Sequence, residues 1–173
     1  VPMFNESVRG FLKKYSDGAI VSHTVNIIGM GESSVAEEIE DMFDAKNPTV
    51  APYAKSGEVR LRITAKAETA DEADKMCAPV VDEICSRLGD VVYGTDMNSI
   101  EERVVALLKE KGKKIATAES CTAGYIPKRL TDIPGASEVF ECGIVSYSND
   151  IKTKLLGVSP KTLETYGAVS EQT

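Results

Sequence analysis

Between Glu58 and Ala67 apolar and polar residues alternate without a break, Val59, Leu61, Ile63 and Ala65 against Arg60, Arg62, Thr64 and Lys66. Successive side chains of a strand point to opposite faces, so the pattern describes one strand with a buried face and an accessible one. The period then changes. After Thr69, an N-cap residue by type, Ala73, Met76, Val80, Val81 and Ile84 fall on one stripe of a helix over 70–88. An apolar sheet face needs a cover and an apolar helix stripe supplies one, so this half of the chain must be a sheet with helices laid on one side.

The flanking sequence completes that design. Ala19 to Met30 reads as a strand, Gly31-Glu32-Ser33 as a tight turn with Ser33 or Ser34 as N-cap, and 34–44 as a helix with Val35, Ile39, Met42 and Phe43 inward. Asn47 to Ala54 is a second extended run, Ser56-Gly57 a hairpin turn, and Asp90 to Tyr93 a last short strand. The order β-α-β-β-α-β predicts an α+β sandwich of ferredoxin-like or KH-like type, four antiparallel strands with both helices on one face. Ahead of it, Phe4, Val8, Phe11 and Leu12 make one helical stripe over 3–15.

Asp96-Met97-Asn98 is a polar joint, and beyond it the pattern is α/β. Ser99 with Glu102 resembles a capping box for a helix over 100–111. A strand over 113–118, a helix over 122–130, a strand over 139–147 and a helix over 151–156 follow, and Ser159-Pro160 opens another helix that Tyr166-Gly167 ends. Charge divides at the same joint. Residues 20–97 hold 7 Lys+Arg against 15 Asp+Glu, a net of −8, whereas residues 98–173 hold 10 of each. A phosphate-binding surface wants clustered cations, so nucleic-acid binding by the first half is disfavoured. No apolar run approaches the roughly 18 to 20 residues of a membrane span. Cys77, Cys85, Cys121 and Cys142 form no CxxC, His23 is the one histidine, and neither a zinc site nor a disulfide framework is expected. Reduced thiols fit a cytoplasmic protein.

The chemistry concentrates in Lys114 to Gly124 and in Tyr147-Ser148-Asn149-Asp150-Ile151-Lys152. A short apolar strand running into small hydroxyl residues and then a helix would hold Ser120 at a strand-to-helix turn, beside the positive end of the helix dipole. Lys152, just beyond the next strand, is the amine that can serve it as base, so a Ser–Lys pair is the first expectation. By spacing alone Ser120 is more often an N-cap, Lys152 a solvated lysine, Tyr147 a strand-end aromatic and Cys121 a small buried thiol. Gly29-Met30-Gly31 reads as a tight turn rather than a phosphate loop, because Glu32 follows at once. Arg60 and Arg62 are expected to meet the acidic helices, and His23 to be structural.

Four motifs, Ala118-Glu119-Ser120-Cys121-Thr122-Ala123-Gly124, Tyr147-Ser148-Asn149 with Lys152, Leu155-Leu156-Gly157-Val158 and Tyr166-Gly167-Ala168-Val169-Ser170-Glu171, resemble in order and spacing the C-terminal domain of the CinA family. Gly29 to Ser33, Asn47 to Tyr53 and Arg60 to Thr64 resemble that family's middle, KH-like domain, and residues 1–18 the last helix of its molybdopterin-binding-like domain. The resemblance implies three segments: 1–18, a KH-like domain over 19–97, and the N-terminal part of an α/β amidase domain over 98–173. It implies hydrolysis of nicotinamide mononucleotide to nicotinic acid mononucleotide and ammonia, without metal or other cofactor, in a homodimer. Ser120 would be the nucleophile, Lys152 its base and Tyr147 an orienting or relaying neighbour. Cys121, Thr122 and Gly124 would meet the substrate, the backbone N–H groups near Cys121 and Thr122 stabilising an oxyanion. The family usually carries a second glycine where Ala123 stands, and Pro127 falls inside the predicted helix, where it should bend it or confine its start. Read so, the chain is the middle of a longer protein. It is expected to be inactive by itself and either to associate with another copy or to lose order after about Leu156. The alternatives are a non-catalytic spacer or oligomerisation module, a nucleic-acid-binding module, and an amidase whose nucleophile is Cys121.

Overall fold

The computed structural model describes Phe4 and residues 8–12, 18–55 and 57–173. The helix expected over 3–15 is seen only as α1, Arg9–Leu12, and the rest of that expectation, like Ser56 of the hairpin turn, lies outside the described residues.

The alternating segment is β3, Glu58–Ala67. It pairs antiparallel with β1, Ala19–Ile28, on one side and β2, Thr49–Lys55, on the other, and β1 pairs antiparallel with β4, Val92–Thr95. The sheet order β2-β3-β1-β4 is the split β-α-β arrangement of an α+β sandwich. α2, Glu32–Glu38, and α3, Ala70–Leu88, pack with the sheet's apolar residues into one core. Val25, Ile27, Leu61, Ile63, Ile84 and Val35 have no exposed surface. Each contributes about 1.5–3 kcal/mol by leaving water. Thr69 closes a full capping box on α3, accepting from the Glu72 N–H while the Glu72 carboxylate accepts from the Thr69 N–H.

Several expectations are corrected. α2 starts at Glu32 after an extended Gly31 and has no side-chain cap, so neither Ser33 nor Ser34 is the N-cap. It stops at Ile39, whose φ of −128° leaves the helical region, and a 3-10 turn over Glu40–Met42 continues the burial of Met42 and Phe43. β2 begins at Thr49 because the Asn47 side chain takes the ladder bonds of Lys66 at 2.9 Å and Pro48 has no N–H to give. β4 starts two residues late, behind a 3-10 turn over Gly89–Val91. Arg60 and Arg62, expected to meet the acidic helices, lie on the strand face opposite Leu61 and Ile63 and make polar and ring contacts with the sheet and its following loop. Arg60 donates to the Asn26 side chain at 2.9 Å and the Met97 carbonyl at 3.2 Å, and Arg62 lies over the Tyr53 ring, 4.8 Å from its centroid.

A second compact unit runs from Asn98 to Thr173. α4 spans Ile100–Glu110, β5 Ile115–Glu119, α5 Tyr125–Thr131, β6 Phe140–Val145, α6 Asn149–Leu156 and α7 Pro160–Tyr166. The Ser99 hydroxyl caps α4 by accepting from the Glu102 N–H, but the Glu102 carboxylate reaches past Ser99 to the Asn98 N–H. β5 and β6 are parallel, with Glu119 opposite Val145, and α5 makes the crossover that a parallel pair needs. Val105, Leu130, Ala136 and Val139 are buried between strands and helices. Described structure continues past Leu156 to Thr173.

A candidate Ser–Lys site at the ends of the parallel strands

Parallel strands bring their C-terminal ends to one edge, where open α/β sheets hold their ligands. Here that edge carries Ser120 directly after β5 and Ser146-Tyr147-Ser148 directly after β6. The Ser148 hydroxyl accepts from the Ile151 N–H and caps α6, and Lys152 follows one turn later, facing back over the strand ends. Its Nζ lies 2.9 Å from Ser120 Oγ and 2.5 Å from the Ser146 carbonyl oxygen. Lys152 is 5% exposed, a rare state for a lysine, and no carboxylate among the described residues pairs with it. The two strand ends are themselves tied, the Ser146 N–H and hydroxyl both donating to the Glu119 carbonyl, at 2.7 and 3.1 Å.

The turn after Ser120 differs from expectation. α5 begins at Tyr125 rather than Thr122, because Ala123 and Gly124 are left-handed, at φ 50° and 90°. A left-handed pair cannot continue a right-handed helix backward. Ser120 therefore caps nothing and sits five residues ahead of α5. Gly124 suits its conformation, whereas Ala123 holds one that costs a residue with a Cβ. The later start moves Pro127 into the first turn of α5, where its missing N–H is not needed. The helix is thus confined rather than bent.

Ser120 and Lys152 are brought together, and Ser120 is half-buried. The backbone N–H groups of Cys121 and Thr122 have no partner among the described residues, and both residues are exposed, so Cys121 is not a packed thiol. Gly124 is half-buried with its Cα beside Val145. Tyr147 is not drawn in: the residue is 75% exposed and its hydroxyl makes no hydrogen bond with any described residue. Two residues of the constellation, Ser146 and Glu119, were missed. Ser146 is 3% exposed and its carbonyl holds the Lys152 amine, a backbone role that no side-chain motif announces. Glu119 is 5% exposed, and an acidic residue at the end of an otherwise apolar strand was the available signal. No group of three or more His, Cys, Asp or Glu among the described residues could hold a metal ion, and no helix among them is long and apolar enough to cross a membrane.

Residues 97–173 match the family described as the CinA C-terminal domain, and residues 22–94 the one described as the damage-inducible protein CinA KH domain. A competence-damage inducible protein of Clostridium beijerinckii is 57% identical over 173 residues, covering 99% of this chain and 42% of its own length. A CinA-like protein of Desulfovibrio desulfuricans is 48% identical over 172 residues, covering 99% and 40%. Among solved structures, the competence/damage inducible protein CihA from Agrobacterium tumefaciens is 45% identical over 42% of this chain and 44% of its own, with a TM-score of 0.42. The chain thus spans about two fifths of the length of these curated relatives.

Proposed function

The chain belongs to the CinA family, and from that premise we propose that its second unit carries the nucleophile and base of a nicotinamide-nucleotide amidase. The observation that carries this reading is the Lys152 Nζ at 2.9 Å from Ser120 Oγ, on a buried lysine without a carboxylate partner among the described residues. To act as base the lysine must enter as the neutral amine. One amine N–H then points to the Ser146 carbonyl, and the nitrogen lone pair accepts the Ser120 hydroxyl. The carbonyl is the third group that orients the base, as nucleophile–base pairs require.

Lys152 Nζ takes the Ser120 proton as Oγ attacks the carboxamide carbon of nicotinamide mononucleotide. The negative charge passes to the carboxamide oxygen, which the free N–H groups of Cys121 and Thr122 can receive. The C–N bond breaks, the Lys152 proton leaves with the nitrogen as ammonia, and an ester on Ser120 remains. Water hydrolyses the ester with Lys152 again as base, giving nicotinic acid mononucleotide and free serine. Tyr147, exposed and unbonded here, enters as a group that swings toward substrate rather than one already in place.

The test is ammonia release from nicotinamide mononucleotide by the chain extended to the length of its curated relatives, with and without Ser120→Ala. The reading expects a loss of at least about 10³-fold in kcat, on the scale of removing an activated nucleophile. Full activity in Ser120→Ala would end it.

A further inference from the structure

Glu119 is the last residue of β5 and directly precedes the proposed nucleophile. Its Oε2 accepts from the Ile126 N–H at 3.1 Å, in the first turn of α5, so one carboxylate spans the whole Ser120–Gly124 turn. α5 has no capping side chain at Gly124, and Glu119 supplies its cap from outside the helix. Its Oε1 is buried without a hydrogen-bond partner among the described residues, as is Oγ1 of Thr117, two residues earlier on the same face of β5. No lysine or arginine among the described residues pairs with it. Burying a carboxylate on a single backbone hydrogen bond is costly, and sites that break a packing rule are where function is found.

The backbone of the same residue faces the other way. The Glu119 carbonyl accepts both the N–H and the hydroxyl of Ser146, and the Ser146 carbonyl in turn holds the Lys152 amine. Residue 119 therefore fixes the turn of the nucleophile through its side chain and the holder of the base through its main chain. Between these two ties lie the left-handed Ala123 and Gly124, and the turn's own i to i+3 bonds run only from the Ala123 N–H to the Ser120 carbonyl and from the Tyr125 N–H to the Thr122 carbonyl.

We propose that Glu119 is the positioning residue of the Ser120–Lys152 pair: its buried carboxylate staples the end of β5 to the first turn of α5 and so sets the hydroxyl and the free N–H groups of the turn at reacting distance. The proposal rests on the amidase reading. It acts through a hydrogen bond, so an amide must substitute for the acid. The carbonyl of a glutamine can accept from the Ile126 N–H as the carboxylate does.

The experiment measures kcat, KM and thermal midpoint for nicotinamide mononucleotide deamidation in the full-length chain. Glu119→Ala is expected to lower kcat roughly ten- to a hundredfold at little-changed KM and thermal midpoint, the size of effect that misplacement of a reacting group by about 1 Å produces. Glu119→Gln is expected to restore kcat to within a few-fold of wild type. A purely structural carboxylate would lower the midpoint and leave the kcat of the folded enzyme alone; that result, or Glu119→Gln as slow as Glu119→Ala, overturns the proposal. Should Glu119→Ala not fold, Glu119→Asp, too short for the staple, must show the same fall in kcat at a native midpoint, and a wild-type rate there overturns the proposal equally. Ser120→Ala is run beside them. If it keeps releasing ammonia the amidase reading fails; if it is dead while Glu119→Ala runs at full rate, the reading stands and the positioning role fails.

Discussion

Lys152 is buried against two neutral groups, the Ser120 hydroxyl and the Ser146 backbone carbonyl, and in the proposed reading it takes the serine proton and gives it back. Lys152→Arg would leave N–H donors at the site but cannot become a neutral base, so kcat for ammonia release should fall by about 10²–10⁴-fold, the range of a lost general base. Retention of rate in the arginine variant would show that the cation, not the base, is what matters. In the first unit His23 is the corresponding singular residue. Its Nδ1 lies 2.6 Å from Asp96 and its Nε2 2.9 Å from Asp74, so both ring nitrogens donate only when the ring is protonated. The hydrogen bonds to Asp96 and then Asp74 raise its pKa above the ordinary 6.5 against a smaller opposing effect of burial. Burial pushes Asp96 up, but His23 and the Thr24 N–H outweigh it and bring it below 3.8. A raised histidine pKa stabilises the fold fully below about 6.5 and loses that contribution as pH rises through the folded value; the lowered Asp96 contributes above 3.8 and is lost as pH falls through its folded value. The urea midpoint of the first unit should therefore decline as pH climbs past the raised His23 value, and His23→Gln should remove that decline. Parallel curves for the two proteins would contradict the assignment. Ser120 and Lys152 were legible because each is a reactive side chain in a motif. Ser146 touches Lys152 through its carbonyl, which no side-chain motif announces, and Glu119 offers only an acidic residue at a strand end, its bond to Ile126 forming only when β5 and α5 meet.

Among the secondary-structure elements, β3 and α3 were read to the residue, and the reasons are physical. β3 is a clean period of two, and α3 has Thr69 and Glu72 closing its start in a reciprocal box with Gly89 beyond its end. Where the chain used other devices the boundaries slipped. The start of α5 moved because an alanine took a left-handed conformation that only a glycine would have announced, and α2 was capped by nothing in its own side chains. The crossover that sets the candidate site also has a tight point. A Cβ at Gly143 of β6 would lie 3.0 Å from the Pro127 ring of α5 and 3.2 Å from Thr117 Oγ1 of β5. Neither the rigid ring nor the strand can give easily. Gly143→Ala should destabilise the second unit by about 1–3 kcal/mol, the usual cost of overpacking, with the midpoint of the first unit unchanged. An unaltered second transition would show that α5 floats on the strands and does not brace the turn of Ser120.

The whole molecule divides between Met97 and Asn98, where the charge also divides, from a net of −8 over 20–97 to balance over 98–173. The first unit has an extensive core of strand and helix residues, and its topology follows from the alternation of periods along the chain. The second has four buried apolar residues among those described and a two-stranded sheet, so its sequence carried less of the fold and more of the chemistry. The proposed amidase reaction requires an ester on Ser120 midway through each turnover. Rapid quenching of the full-length protein with nicotinamide mononucleotide, followed by peptide mass analysis, should find the nicotinic acid mononucleotide acyl group on the peptide containing Ser120, and should lose it in Ser120→Ala. An adduct on Cys121, or steady ammonia release with no adduct on the serine at any quench time, would contradict the assignment of Ser120 and Lys152 as nucleophile and base.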